Sequence, residues 1–191
     1  MNKCNPRERV AYHEAGHAVA SYVFRQRFHY VTIKADDEQE SAGHLKSVLV
    51  KTMAKWEYSE GWPEMYRARL ERLAMSSLAG VVAEGLMTGR HSWVRASKDT
   101  RTALDMVSPL TNGDLEEAAR YRDWLTCRVR RLLSPAHYQR SIKAVAHALL
   151  RNETVSYSEA RAIIERAIPV TPLGVDFDEA IAEAIAFAET R

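Results

Sequence analysis

The chain has 191 residues, 46% of them hydrophobic, enough for one substantial core and too few for a second full domain beside it. Its 27 Lys and Arg nearly balance 25 Asp and Glu, and a net charge of +2 gives no field suited to holding nucleic acid or an acidic membrane. Cys4 and Cys127 lie too far apart for a CxxC site, no run approaches the ~20 apolar residues of a bilayer span, and the first residues lack the apolar core of a signal peptide. A soluble cytoplasmic chain, with no nucleic-acid partner and no membrane span, is expected.

Asn5, Pro6 and Glu8 supply a capping side chain, a proline for the first helical position and a glutamate able to reach back, so a helix is predicted to start there. Ala11, Ala15, Ala18, Val19, Tyr22 and Val23 recur at helical spacing and carry it to about Phe24 or Arg25. From Phe28 to Ala35 the residues turn β-branched and aromatic, and after a polar connection from Asp36 to Glu40 a second extended segment runs from Gly43 to Val50. These two strands are expected to pair.

Trp62-Pro63 opens a second long helix through Leu70, Leu78, Val82 and Leu86, which Gly89 can end in a left-handed cap. Ser97 is the expected cap of a short helix from Lys98 to about Val107, and Asn112 to Asp114 begins another that reaches about Leu133. Ser134-Pro135 restarts the helix toward Asn152, and Ser156 with Glu159 has capping-box spacing for one ending near Ile168. Pro169 to Asp176 reads as a linker, followed by an amphipathic tail marked by Phe177, Ile181, Ile185 and Phe187. The expectation is a mainly helical α+β domain over residues 1–168, with a small sheet beside the first helix and a C-terminal linker and helical tail over residues 169–191.

The first helix contains His13-Glu14-Ala15-Gly16-His17, an HExxH pattern. Residues four apart share a helix face, so His13 and His17 can offer two imidazole nitrogens to one Zn²⁺ while Glu14 points beside it. Zinc lowers the pKa of bound water toward ~7, and a neighbouring carboxylate can take its proton during attack on a polarised carbonyl. Glu14 is the expected general base. The motif is short, and two histidines and a glutamate on a helix can also be ordinary hydrogen-bonded or solvated residues.

A catalytic zinc needs a third protein ligand and one open position. Ala20 and Val23 stand where the metzincin extension requires glycine and histidine, which excludes that class. Asp36, Asp37 and Glu38 fall in the connection between the strands and read as a turn. Glu84, inside the second long helix, and Asp99, in the first turn of the short one, both stay open, although the helix dipole by itself favours an aspartate such as Asp99 there. His29, His91, His137 and His147 lack ligand spacing. Gly80 to Gly85 is followed by Leu86 and Met87 where a phosphate loop needs lysine and a hydroxyl residue, so no nucleotide site is read.

Several segments resemble the peptidase domain of the FtsH family of membrane-anchored, ATP-dependent zinc proteases. RVAYHEAGHAV, Arg9 to Val19, resembles the family's motif helix, and FHYVTIKA followed by SAGHLKSVL resembles its strand pair. LAGVVAEGLMTG, Leu78 to Gly89, is similar to the GGRxAEExxxG helix, and RASKDTRTA, Arg95 to Ala103, to the GASNDIxxA segment that carries the family's third ligand. LLRNETVSYSEARAII, Leu149 to Ile164, resembles the LxxxETLxxxEVxxI stretch near that domain's end, so the likeness covers about Val10 to Ile168.

Carried onto this chain, the resemblance implies a helical zincin-like domain with His13, His17 and Asp99 as zinc ligands, Glu14 as general base and Glu84 as a supporting carboxylate. Departures occur at Ala79 and Val81 in the GGR segment, at Gly85 for the second glutamate and at Lys98 before the ligand aspartate. The family joins this domain to a membrane anchor and an unfolding ATPase, and neither is found in this sequence. The leading expectation is an endopeptidase acting on extended or unfolded polypeptide, with an exposed strand near Gly43 and His44 binding substrate. A separate ATPase or adaptor and a homo-oligomeric ring are the partners this implies. The alternative is a catalytically inactive adaptor or regulatory module that keeps the peptidase fold.

Overall fold

The computed structural model describes residues 5–35, 43–47, 64–89 and 96–168. The segments holding Asp36 to Glu38, the Trp62-Pro63 helix start and the C-terminal linker and tail lie outside the described residues. Within them the chain is a mainly helical α+β protein whose small antiparallel sheet packs beside its first helix. No described helix is long and apolar enough to cross a membrane.

Helix α1 spans Pro6–Val23 and starts where its capping signals put it. The Asn5 side chain accepts from the Arg7 amide at 3.1 Å, and Glu8 accepts from the Asn5 amide at 3.1 Å, satisfying donors that a helix start leaves open. Arg25, at φ 56°, turns the chain out of the helix. Val10, Ala11, Ala15, Ala18, Val19 and Ala20 are all buried, because α1 runs between α2 on one side and α5 on the other. Such all-round burial marks it as the central helix of the fold.

Strand β1, Phe28–Thr32, is the middle of the sheet, with β2, His44–Ser47, on one side and β3, Thr154–Ser156, on the other. Thr32 is registered with His44 and Thr154, and Val31 with Leu45 and Val155. The β1 strand ends three residues earlier than its composition suggests. Lys34 donates its amide to the Thr32 hydroxyl at 3.2 Å instead of continuing the ladder. The third strand is invisible to a local reading, since its three residues gain strand character only by pairing with β1.

Helix α2, Glu64–Thr88, lies against α1 through small side chains. A Cβ on Gly16 would fall 2.6 Å from the Ala79 carbonyl oxygen, so the glycine is what lets the two helices approach. Helix α3, Ala96–Val107, begins two residues before the expected start, which places Ser97 inside the helix and corrects its reading as a cap. A 3₁₀ turn, Ser108–Thr111, leads through Asn112 and Gly113, both at positive φ, to α4, Leu115–Leu133, whose first turn is capped by Asp114. Helices α5, Ala136–Asn152, and α6, Tyr157–Ala167, complete the domain. Leu125, Leu133, Ile142, Leu149 and Ile164 are fully buried, each worth ~1.5–3 kcal/mol relative to exposure.

Candidate metal centre

Three elements bring the site together: α1 carries His13, Glu14 and His17, α2 carries Glu84, and the first turn of α3 carries Asp99. Nε2 of His13 lies 3.1 Å from Nε2 of His17, and Oδ2 of Asp99 lies 2.8 Å from the first and 3.4 Å from the second. A tetrahedral zinc with bonds of ~2.0–2.2 Å holds its ligands ~3.3–3.5 Å apart, so the donors need only small movements to fit one. Among the described residues these three form the group able to hold a metal ion, and they leave one tetrahedral position without a protein donor. The donor set of two imidazoles and a carboxylate suits zinc.

Each ring is oriented from behind. Nδ1 of His17 donates to the Ser76 carbonyl oxygen at 2.8 Å, which fixes its tautomer and turns Nε2 toward Asp99. Nδ1 of His13 faces Oε2 of Glu84 at 3.6 Å. Space for both rings comes from Gly80 on α2, where an added Cβ would meet His17 Nε2 and stand 2.6 Å from His13 Nε2.

Glu14 points into the interior beside these groups, 4% exposed, and its Oε2 is buried with no hydrogen-bond partner. Gly43, just before β2, packs on the Glu14 side chain: a Cβ there would lie 3.1 Å from Glu14 Cγ. The His44 ring stands edge-on to Tyr30, with Nε2 3.5 Å from the Tyr30 hydroxyl, and its Nδ1 is buried without a partner.

The electrostatics follow from crowding charge in a dry place. Burial pulls His13 down, but the hydrogen bond to Asp99, the Glu84 carboxylate facing its other nitrogen and the nearby Glu14 charge prevail and raise it from 6.5 to about 10. His17 is also raised, burial being outweighed by the attraction of Asp99. Burial would raise Asp99, yet His17 and His13 hold its carboxyl well below the usual range. For Glu84 burial again pushes up, and the facing His13 ring together with the hydrogen-bonded Arg9 guanidinium wins, leaving it low. Glu14 is raised, because its burial exceeds what His17 and His13 give back.

The structure thus gathers His13, His17, Asp99, Glu14 and Glu84 in one place and brings Gly43 against Glu14, while the described polar contact of the His44 ring is to Tyr30. Between the two carboxylates that the residues alone left open, Asp99 meets the Nε2 atoms and Glu84 stands behind His13. The sequence reading missed Arg9, whose Nε donates to Glu84 Oε1 at 2.7 Å. Its signal was available: Arg9 is four residues before His13, on the same helical face. No protein-family model matches the chain, and no curated protein matches it.

Proposed function

We propose that the chain is a zinc-dependent endopeptidase of the FtsH type, acting on extended or unfolded polypeptide in the cytoplasm. The observation that carries this reading is the meeting of His13 Nε2, His17 Nε2 and Asp99 Oδ2 within 2.8–3.4 Å, next to a buried Glu14 oxygen that no hydrogen bond satisfies. His13, His17 and Asp99 would hold the ion.

When bound, zinc supplies Lewis acidity, polarising the scissile carbonyl and making a water acidic enough to ionise near neutral pH. Glu14 accepts the water's proton and passes it to the leaving amine, so the peptide C–N bond breaks as the new C–O bond forms. The upward shift that burial gives Glu14 brings its basicity nearer neutral pH, as transfer in both directions requires. Among the described residues β2 is an edge strand, and a Cβ on Gly43, just before it, would lie 3.1 Å from Glu14 Cγ. A peptide adding to that edge through backbone hydrogen bonds would run past the site, with His44 flanking it. The adaptor alternative uses the same fold but leaves the buried, unpartnered Glu14 oxygen without a purpose. A separate ATPase that delivers unfolded chains is the partner this reading implies.

The test compares zinc content and cleavage of an unfolded protein in wild type and Glu14→Gln. Both proteins are expected to bind about one zinc per chain, and the variant to lose roughly 10²-fold or more of the cleavage rate. Stoichiometric zinc without Glu14-dependent cleavage overturns the peptidase reading. Equal capture of a partner by both proteins, without turnover, replaces it with the adaptor.

A further inference from the structure

We infer that Arg9 is a positioning residue of the metal centre, acting through Glu84 on His13. The inference rests on the zinc reading above and adds to it the device that aims one of its ligands.

A histidine that ligates a metal through Nε2 needs an acceptor for the proton on Nδ1, which sets the ring's tautomer and plane. His17 has a backbone acceptor, the Ser76 carbonyl, that no side-chain change removes. His13 has none of that kind: its Nδ1 is buried without a hydrogen-bond partner, and the acceptor facing it is Glu84 Oε2 at 3.6 Å, one short step beyond hydrogen-bond length. The orientation of His13 therefore depends on where the Glu84 carboxylate is held.

Arg9 holds it. The Glu84 side chain is 1% exposed, and a buried carboxylate without a cation is costly. Arg9 supplies that cation through Nε, 2.7 Å from Oε1, and through a second close contact from Nη2 to the same oxygen. Both contacts fall on Oε1, which leaves Oε2 directed at His13. Arg9 and His13 are one turn apart on α1, and Glu84 reaches across from α2, so Arg9, Glu84 and His13 form one chain from the rim of the site to the ligand. The Arg9 side chain is 24% exposed and lies outside the hydrophobic core, and methionine keeps an unbranched chain in its place.

A plain brace between α1 and α2 would use the same contacts but would leave metal affinity untouched. Zinc affinity, measured by competition with a chromogenic chelator, and melting temperature without metal are therefore followed together in wild type, Arg9→Met, Arg9→Lys, Glu84→Gln and the Arg9→Met/Glu84→Gln double variant. Arg9→Met is expected to weaken zinc binding roughly tenfold, the lower end for a residue behind a ligand. Arg9→Lys should recover part of the loss, and the double variant should bind no more weakly than Glu84→Gln alone, because Arg9 acts only through Glu84. Wild-type zinc affinity in Arg9→Met, with or without a lowered melting temperature, overturns the inference, as does a double variant in which the two losses add. Should Arg9→Met fail to fold, Arg9→Lys decides: unchanged affinity overturns the inference and a partial loss supports it. A wild-type chain that takes up no zinc removes the metal reading itself, an outcome distinct from an Arg9 variant that binds zinc as well as wild type.

Discussion

Replacing Gly80 with alanine should separate the stability of the fold from the integrity of the site. Gly80 lies in the interior of α2, where alanine is favoured over glycine by ~1 kcal/mol, so helix propensity alone predicts a more stable protein. The new Cβ would stand 2.6 Å from His13 Nε2 and would also meet His17 Nε2, well inside a normal contact. The atoms it meets are the ends of two side chains, so the rings turn away more readily than the helices part. Overpacking costs ~1–3 kcal/mol, which leaves the metal-free variant about 0–2 kcal/mol less stable once the propensity gain is included.

The site loses more than the fold. Zinc at a hundred times its dissociation constant adds ~2.7 kcal/mol to stability, and at ~2–4 °C per kcal/mol that is a rise of about 5–11 °C in melting temperature. If displaced rings weaken binding a hundredfold, the same zinc adds only ~0.4 kcal/mol, or less than about 2 °C. Thermal unfolding by circular dichroism, with chelator and with zinc, reads both quantities. A Gly80→Ala protein that keeps the full zinc-dependent rise refutes the placement of the imidazoles over Gly80. Gly16→Ala is the contrast, because its Cβ meets the Ala79 backbone and the Ala83 side chain, so the cost falls on helix packing and appears without metal.

Asp99→Asn keeps the shape of the third ligand and removes its charge; zinc affinity by chelator competition should fall at least about tenfold, and in the metal-free chain the His13 pKa, followed by NMR, should drop. The pH dependence of metal-free stability has a definite sign for this pair. His13, raised from 6.5 to about 10, supports folding fully below about 6.5 and loses that support as pH climbs toward 10. Asp99, held below its ordinary 3.8, gives support above that value and loses it as pH falls below. Because zinc needs unprotonated imidazoles, its affinity should increase with pH and its binding should release protons into a weak buffer; falling affinity between pH 6 and 8 contradicts the assignment.

What was legible in the sequence was what is decided locally. Asn5, Pro6 and Glu8 cap α1 through their own neighbours, and Ser156 with Glu159 does the same for α6, so both helices begin where the residues say. The HEAGH spacing put the two imidazoles on one face because one helix carries both. The rest depends on partners distant in sequence. Thr154–Ser156 becomes a strand only beside β1, and α3 starts at Ala96 although Ser97 offers a cap. The choice between Glu84 and Asp99 turned on how α3 packs against α1 and α2, which no spacing encodes; the resemblance pointed to Asp99, and the coordinates put it on the Nε2 side. Arg9 could have been noticed as a cation one turn before His13, but its contact depends on the position of Glu84 across the helix interface.

The burial of Glu14 is what most needs a functional explanation. Arg9 faces Glu84, and the imidazoles face Asp99, yet Glu14 is almost fully enclosed with an oxygen that meets no donor. Burial raises its pKa, and the two histidines only partly oppose it. For a carboxyl raised above its ordinary 4.5, the charged form is the one the fold disfavours, so in the metal-free chain this group removes stability as pH rises through and beyond 4.5. Glutamine fills the same space without a charge. Metal-free Glu14→Gln should therefore melt above wild type at pH 7, with the difference shrinking toward pH 4 as the wild-type carboxyl becomes protonated. A variant that melts below wild type at pH 7 would mean that Glu14 supports the fold. A carboxyl whose charge burial disfavours, set beside three converging donor atoms, fits the trade between stability and activity found at catalytic sites, and a metal serving only as a clamp would have no use for it.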